Sequence, residues 1–440
     1  MIPEDEDTLN RNQAFTGSDS VTRSIAAAAV FLTAVRTSVA SVPIGVMAGL
    51  ATAPMWVSSL RRYRGALTLA IILLFAVAWG IALTAQQEPF NGGTSSGTLL
   101  ANSLLPVFIL TGMGALLWAR EHLSDRAVGV SLGIGLLVTN TLNGSITASD
   151  NPWKFGIAFP LSVILLAISA GFHRWQWTLV TLLFLGALNA GLDSRSAFAT
   201  CALAALLYMA QRQWSRRSGG SIRARAVSLL LAGLAAAAVL YQVTSHLLMA
   251  GYLGEEAQER SIMQEELAGS MIVGGRPEMA ATWALVQYRP AGFGSGAIAS
   301  SQDLMVAKSG MWEINYDPNN GYVENYMFGD GIKLHSVIGD MWAYYGFAGV
   351  ALAVLITTLL VHALFIRLAT GTASGLVIFL ICTGLWNIPF GPLWSSTPIL
   401  AATIGVALIH KGESRSAREL IAERIGKPRE QQTPASIKGA

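Results

Sequence analysis

The sequence GGRPEMAATWALVQYRPAGFGSG, from Gly274 to Gly296, lies in the only long polar interval of an otherwise apolar chain. This polar segment runs from Gly251 to Lys333. It opens with the acidic stretch GEEAQERSIMQEELAG and closes with WEINYDPNNGYVENYMFGDG, which is rich in aromatic residues and carboxylates. His335 follows at the start of the next apolar run. The polar segment therefore separates two apolar parts of the chain, as a large loop between membrane helices would.

The rest of the chain has the composition of a membrane protein. Of the 440 residues, 52% are hydrophobic and 12% are charged, whereas about 25% of residues are charged in an average soluble domain. Because one membrane span needs roughly 20 apolar residues, we predict an all-α polytopic membrane protein with about 12 transmembrane helices and one large extracytoplasmic helical loop. The predicted spans are 25–38, 41–60, 65–85, 98–119, 126–142, 155–171, 177–192, 196–211, 226–249, 336–366, 374–389 and 396–410.

Lysine and arginine in the short loops predict the orientation, because cytoplasmic loops are enriched in both. When Arg61, Arg62 and Arg64 are placed inside, every later short loop agrees with the alternation, and both ends of the chain are cytoplasmic. The predicted parts are a cytoplasmic tail at 1–24, a first bundle of about nine spans at 25–249, an extracytoplasmic loop at 250–335, three further helices at 336–410 and a basic cytoplasmic tail at 411–440.

Basic residues on the predicted outer side are few, and each needs a reason. They are Lys154, Arg195, Arg260, Arg276, Arg289, Lys308 and Lys333, and Arg36 joins them near the outer end of the first span. Arg195 lies in the tight turn GLDSRSAF. It either extends towards lipid headgroups or binds an anion, for which the planar guanidinium and a helix N-terminus are suited.

Arg276 begins a predicted short helix. Pro277 fits the first helical position, Glu278 follows it, and the helix ends at Arg289. The glycine-rich sequence around Gly294 is next; it is either a flexible turn or a backbone nest for phosphate.

His335 is either a satisfied polar group at the membrane interface or a residue that exchanges a proton near neutral pH. Between Trp312 and Asp330, aromatic residues such as Tyr322 and Tyr326 alternate with carboxylates, which suits either a glycan-binding surface or an amphipathic cap on the bundle. No second histidine or cysteine lies at metal-ligand spacing, so we predict no metal site and no cofactor.

These residues together resemble the O-antigen ligase and O-antigen polymerase superfamily of bacterial cell-surface polysaccharide assembly. The resemblance rests on Ser194–Arg195–Ser196, on R-x-E-x-x-x-x-W from Arg276 to Trp283, on R-P-x-G-x-G from Arg289 to Gly294, and on His335 before W-x-Y-Y-G-x-x-G from Trp342 to Gly349. It covers about residues 190–350, and the flanking spans match in number and orientation only.

The resemblance implies a metal-independent glycosyltransferase in the bacterial cytoplasmic (inner) membrane, with its active site on the extracytoplasmic face. Its donor would be a glycan on undecaprenyl diphosphate, and its acceptor a sugar hydroxyl. Arg195 and Arg276 would bind the diphosphate, and His335 would orient or deprotonate the acceptor. Further candidates for binding substrate are Arg289, Glu278, Gly294, Tyr322, Tyr326 and Arg36. For Arg289 the alternative is that it caps its own helix.

Polymerisation of repeat units and ligation to a different acceptor, such as lipid A-core, share this donor chemistry and stay open. Besides the two glycans, the expected partners are the lipid bilayer and other polysaccharide assembly proteins, and no nucleic acid. A transporter is the alternative of a different class. The sequence argues against it because its charges gather at the outer rim rather than near the bilayer midplane.

Overall fold

The computed structural model describes residues 17–172, 174–215, 222–252, 254–269 and 274–412. It is 75% helical with almost no sheet, which confirms the all-α prediction. Most of the two predicted tails, at 1–16 and 413–440, lies outside the described residues, as do 253 and 270–273 of the predicted loop.

The α-helices of the described chain are joined by connections of different lengths, the longest at 313–336. They are α1 Gly17–Thr33, α2 Ile44–Ala51, α3 Ala53–Trp56, α4 Ala66–Gln87, α5 Ser96–Ala119, α6 Asp125–Leu142, α7 Ala158–Ser169, α8 Gln176–Gly191, α9 Arg195–Ser215, α10 Ile222–Met249, α11 Glu255–Ala268, α12 Pro277–Tyr288, α13 Ser301–Trp312, α14 Val337–Thr370, α15 Gly375–Phe390 and α16 Leu393–Ala407. Four two-residue strands form two antiparallel pairs: β1 Ser38–Val39 with β2 Val42–Pro43, and β3 Gly93–Thr94 with β4 Ala297–Ile298.

The predicted number of spans is not supported. Among the described residues, three helices are long and apolar enough to cross a membrane: Ala66–Phe90, Ser96–Ala119 and Val337–Thr370. Five further apolar helices have only 10–17 residues, which at 1.5 Å per residue is less than the roughly 30 Å of a hydrocarbon core. An apolar run in the sequence does not reveal how many of its residues are helical.

The predicted span at 41–60 is wrong as a single helix. The chain there forms the turn between β1 and β2, then α2, α3 and a 3₁₀ turn at Ser59–Arg61. Pro54 lies at the start of α3 and cannot donate a backbone hydrogen bond, which favours a break after α2. Trp56 at the end of α3 is buried and donates its indole N–H to the Gly49 carbonyl at 2.8 Å, so the broken segment folds back on itself.

Helix α14 is bent at Gly346, whose φ of 53° and ψ of −135° are not helical. The glycine-rich segment after α12 crosses α14 at this bend. The backbone N–H groups of Phe293 and Gly294 both donate to the Ala343 carbonyl, at 2.8 and 3.0 Å. A Cβ atom on Gly346 would lie 2.4 Å from the Ala291 carbonyl oxygen, so only glycine allows this crossing. The bend thereby fixes the polar segment on the helical bundle.

Candidate functional site

The first group of candidate residues surrounds the N-terminus of α12. Arg276 immediately precedes this helix and donates through Nη1 to Glu278 Oε1 at 3.3 Å. The Glu278 side chain is buried, and its Oε2 accepts from the Tyr322 hydroxyl at 3.2 Å. Burial and the Glu278 carboxylate raise the pKa of Tyr322, so its phenol stays protonated and donates. The Arg276 guanidinium remains 34% exposed, and a ligand can reach it.

An aromatic stack leads from this carboxylate to the histidine. Tyr322 and Tyr326 lie on a π-helical turn, Tyr322–Met327, with ring centroids 4.9 Å apart. Tyr326 then stacks on His335 with centroids 4.2 Å apart and ring planes 10° from parallel. Arg276, Glu278, Tyr322, Tyr326 and His335 therefore form one continuous group, which we call the Arg276–His335 cluster.

The backbone contacts of His335 define the state of its imidazole. Its Nδ1 lies 3.1 Å from the Lys333 carbonyl oxygen. A carbonyl only accepts, so Nδ1 carries the proton and the Nε2 lone pair is unprotonated. Burial lowers the pKa of His335 to about 4, with smaller contributions from the positive charges of Arg276 and Lys333; the Lys333 carbonyl acts in the opposite direction. At neutral pH the ring is uncharged and can accept a proton.

The conformation of this turn is unusual. His335 has a φ of +55°, in the left-handed region that non-glycine residues rarely adopt. Such conformations cluster at functional sites and persist where their surroundings hold them. The buried Asp340 holds this one, because its Oδ1 accepts from the Leu334 N–H at 2.6 Å.

The connection between α15 and α16, residues 390–394, closes the other side of the site. Asp340 Oδ2 accepts from the Leu393 N–H at 2.7 Å. The Arg276 guanidinium carbon lies 6.0 Å from the centre of the Phe390 ring. Arg36 lies 4.3 Å from the centre of the Trp394 ring, which is a close cation–π contact. Two candidate arginines therefore contact the same short connection.

Three helices begin in this region. Helix α12 begins next to Arg276, and α14 and α16 begin near the two N–H groups that Asp340 accepts. The first turn of α14 also packs on α12: a Cβ on Gly339 would lie 3.4 Å from Thr282. Helix N-termini carry partial positive charge, but Ser336 caps α14, Asp340 accepts from the first N–H of α16, and Lys333 pairs with Asp330. The groups that favour an anionic ligand here are therefore the side chains of Arg276 and Arg36.

Arg289 belongs to a different environment. Its guanidinium contacts Asp303 through Nε at 3.0 Å, Asn91 Oδ1 through Nη1 at 2.6 Å and the Phe90 carbonyl through Nη2. The side chain is only 7% exposed and Asp303 is fully buried. Arg289 thus joins the end of α12 to α13 and to the turn after α4. These contacts give the predicted substrate-binding role no support and make Arg289 a structural residue.

Gly294 does not form a phosphate nest. The five successive N–H groups from Gly292 to Gly296 donate to protein acceptors: the carbonyls of Arg289, Ala343, Ala343 again and Gly80, and the Thr84 hydroxyl. The segment is buried between α4 and the bend of α14, so it is not a flexible turn either. Its glycines allow a close approach of backbones, which corrects the prediction that Gly294 binds substrate.

Arg195 lies at the start of α9, as predicted, with Nε 3.5 Å from Asp193 Oδ1 and Nη1 3.4 Å from Ser261 on α11. Among the described residues, none of its hydrogen bonds or ion pairs joins it to the Arg276–His335 cluster. Its role as a diphosphate ligand stays a prediction.

The sequence interpretation missed Phe390 and Trp394. The signal was available in NIPFGPLWSSTP, a connection predicted to be outer, with two aromatic residues and no charge, which served only to assign topology. A scan of protein-family models and a search of curated proteins found no match to the chain. The resemblance to the O-antigen ligase and polymerase superfamily therefore stays a prediction.

Proposed function

We propose that the protein is a multi-pass enzyme of the bacterial cytoplasmic membrane that transfers a glycan from undecaprenyl diphosphate to a sugar hydroxyl and so polymerises repeat units. The observation that supports this proposal best is the Arg276–His335 cluster. It combines an accessible arginine, an uncharged histidine and stacked tyrosines from parts of the chain about sixty residues apart.

In this proposal the cations act on the leaving group. As the acceptor oxygen attacks the anomeric carbon, the bond from that carbon to the diphosphate oxygen breaks, and the diphosphate gains negative charge. Arg276 can offer a bidentate fork to that charge. Its present partner, Glu278, is already shared with Tyr322, so the arginine can turn to a ligand without leaving the carboxylate unpaired.

His335 acts on the acceptor. Nε2 takes the hydroxyl proton as the new glycosidic bond forms, while Nδ1 remains bound to the Lys333 carbonyl. Tyr326 covers one face of the imidazole and fixes its plane. Tyr326 is also 53% exposed, so it has apolar ring surface to offer a sugar.

The proposed membrane arrangement places both chain ends in the cytoplasm and residues 250–335 outside. The basic residues of the short loops support it. The three helices long enough to cross a bilayer agree with a membrane location, and the orientation rests on the basic residues alone. The cluster would then lie at headgroup depth, where a lipid-linked diphosphate lies.

The test is transfer by variants that insert normally. Arg276→Ala, Arg276→Lys and His335→Gln should each lose polymer, since lysine lacks the planar fork and glutamine cannot take a proton. Cells carrying them should accumulate single lipid-linked repeat units. Lys154→Ala and His122→Gln, which change an outer lysine and another histidine, serve as matched controls.

Other outcomes separate the alternatives. Long polymer that stays on its lipid carrier in the variants would indicate a ligase. Wild-type polymer in both Arg276→Lys and His335→Gln would refute the proposed chemistry.

A further inference from the structure

Asp340 is a buried carboxylate that the proposed transfer does not use. It lies in the first turn of α14 and is 2% exposed. An acidic residue there ordinarily stabilises its own helix N-terminus. In this helix, however, Ser336 is the cap: its hydroxyl accepts from the Gly339 N–H at 3.0 Å. The Asp340 carboxyl oxygens can therefore accept hydrogen bonds from groups outside α14.

Both oxygens of Asp340 accept from such groups. Oδ1 accepts from the Leu334 N–H at 2.6 Å and Oδ2 from the Leu393 N–H at 2.7 Å. Leu334 immediately precedes His335, and Leu393 begins α16. The carboxyl group thus joins two segments that are 59 positions apart in the chain (393 − 334), with one short hydrogen bond to each.

The two joined segments support different parts of the site. The turn that begins at Leu334 carries His335 in its left-handed conformation. The 390–394 connection carries Phe390 and Trp394, whose rings contact Arg276 and Arg36. We propose that Asp340 is a positioning residue that fixes the distance between the proton acceptor His335 and the cations that bind the donor diphosphate. This inference rests on the proposed function.

Direct participation of Asp340 in the reaction does not fit its geometry. Both of its oxygens point to backbone N–H groups and the side chain is enclosed, so no acceptor hydroxyl reaches it. An effect of Asp340 on the reaction must therefore pass through the segments that it holds.

Asp340→Asn tests this role with little change in volume, since the amide nitrogen cannot accept from an N–H and one of the two bonds is lost. We expect kcat to fall at least about tenfold, because small misplacement of reacting groups is costly, while KM for the lipid-linked donor stays within about threefold. Asp150→Asn, the same change at an exposed outer position, should match the wild type.

Two further measurements distinguish positioning from general damage. In the His335→Ala background, Asp340→Asn should cause no additional loss of turnover, because its effect passes through the histidine. Hydrogen exchange measured by mass spectrometry should increase in peptides covering 330–337 and 390–396 and stay unchanged in one covering 66–87.

The results separate this inference from the proposed function. If His335→Ala and Arg276→Ala keep wild-type turnover, the proposed function fails, whatever Asp340→Asn does to hydrogen exchange. If those two variants are inactive but Asp340→Asn turns over like the wild type, the positioning role is refuted. It is also refuted if the two peptides keep their protection, or if exchange increases throughout the chain.

Discussion

Replacing Arg289 by alanine should mainly reduce stability, whereas replacing Arg276 should mainly abolish transfer. Both arginines lie in motifs that carry the resemblance to the O-antigen ligase and polymerase superfamily. The Arg289 guanidinium is 7% exposed and contacts a fully buried carboxylate, Asp303. Asp303 Oδ1 has no hydrogen bond from any other described group, so the arginine is its compensating charge. The other oxygen is already used in the cap of α13 with Ser300.

The expected magnitude follows from this burial. Removing one partner of a buried ion pair costs about 3–5 kcal/mol, because the other charge is left uncompensated. That corresponds to roughly two to three and a half powers of ten in the folding equilibrium. The Arg276 side chain is 34% exposed, and its buried partner Glu278 keeps a hydrogen bond from Tyr322, so Arg276→Ala should cost less stability than Arg289→Ala.

The assay is thermal unfolding of detergent-purified protein beside transfer from the lipid-linked donor. Arg289→Ala should unfold at a clearly lower temperature, and its remaining folded fraction should still transfer glycan. Arg276→Ala should lower the unfolding temperature less than Arg289→Ala does, and it should lose transfer. If Arg289→Ala is fully stable but inactive, the assignment of these two residues is reversed and the structural reasoning is refuted.

Three further predictions use other parts of the molecule. Gly294→Ala should lose stability, by at least about 1–3 kcal/mol from backbone strain alone, because φ is +105° and the new Cβ would lie 2.5 Å from Thr84 backbone atoms; Gly97→Ala, whose Cβ would make an ordinary contact with Ser95 Oγ at 3.8 Å, is the control, and equal unfolding temperatures would contradict this packing. The acidic limb of the kcat/KM profile should lie well below the ordinary histidine value, since burial lowers the pKa of His335 to about 4, and Lys333→Gln should move it to higher pH by removing a nearby positive charge; a limb near 6.5 would contradict the lowered pKa of His335. Reporter fusions at Ser270 and Ser414 should lie on opposite sides of the membrane, and the same side for both would refute the topology.

The lowered pKa of His335 also affects stability. Between about 6.5 and about 4 the unfolded chain binds a proton that the folded protein does not. The free energy of unfolding is therefore unaffected by His335 above about pH 6.5, where the imidazole is neutral in both states. It declines as the pH falls from about 6.5 to about 4, because protonation favours the unfolded chain.

Periodicity and composition predicted the helical class well, because long apolar helices such as Ala66–Gln87 need only hydrophobic residues and no helix-breaking proline. The segment 41–60 has an equally apolar composition, but its prolines and small residues let it turn back on itself. Hydropathy measures whether a segment avoids water. It does not measure how many successive residues share one helix axis.

The site was predicted in part for a similar reason. Basic residues on the predicted outer side are few, so Arg276 could be singled out without a structure, and His335 could be singled out as the histidine where the polar segment meets the next apolar run. Arg289 met the same criterion and proved structural, because its partners Asn91 and Asp303 are remote in sequence. A single sequence contains no signal for such pairings, and the glycine motif beside Arg289 was misread for the same reason.

The arrangement of charges couples donor binding to the strength of the base in the proposed reaction. Without a ligand, Arg276 and Lys333 add to burial in keeping His335 uncharged, but a base of such low pKa takes protons weakly. A bound diphosphate would offset those positive charges and favour the imidazolium, so the pKa of His335 would rise while the donor is present. The histidine would then become a stronger base only when a leaving group is in place. An acceptor alone would meet a weak base and no electrophile.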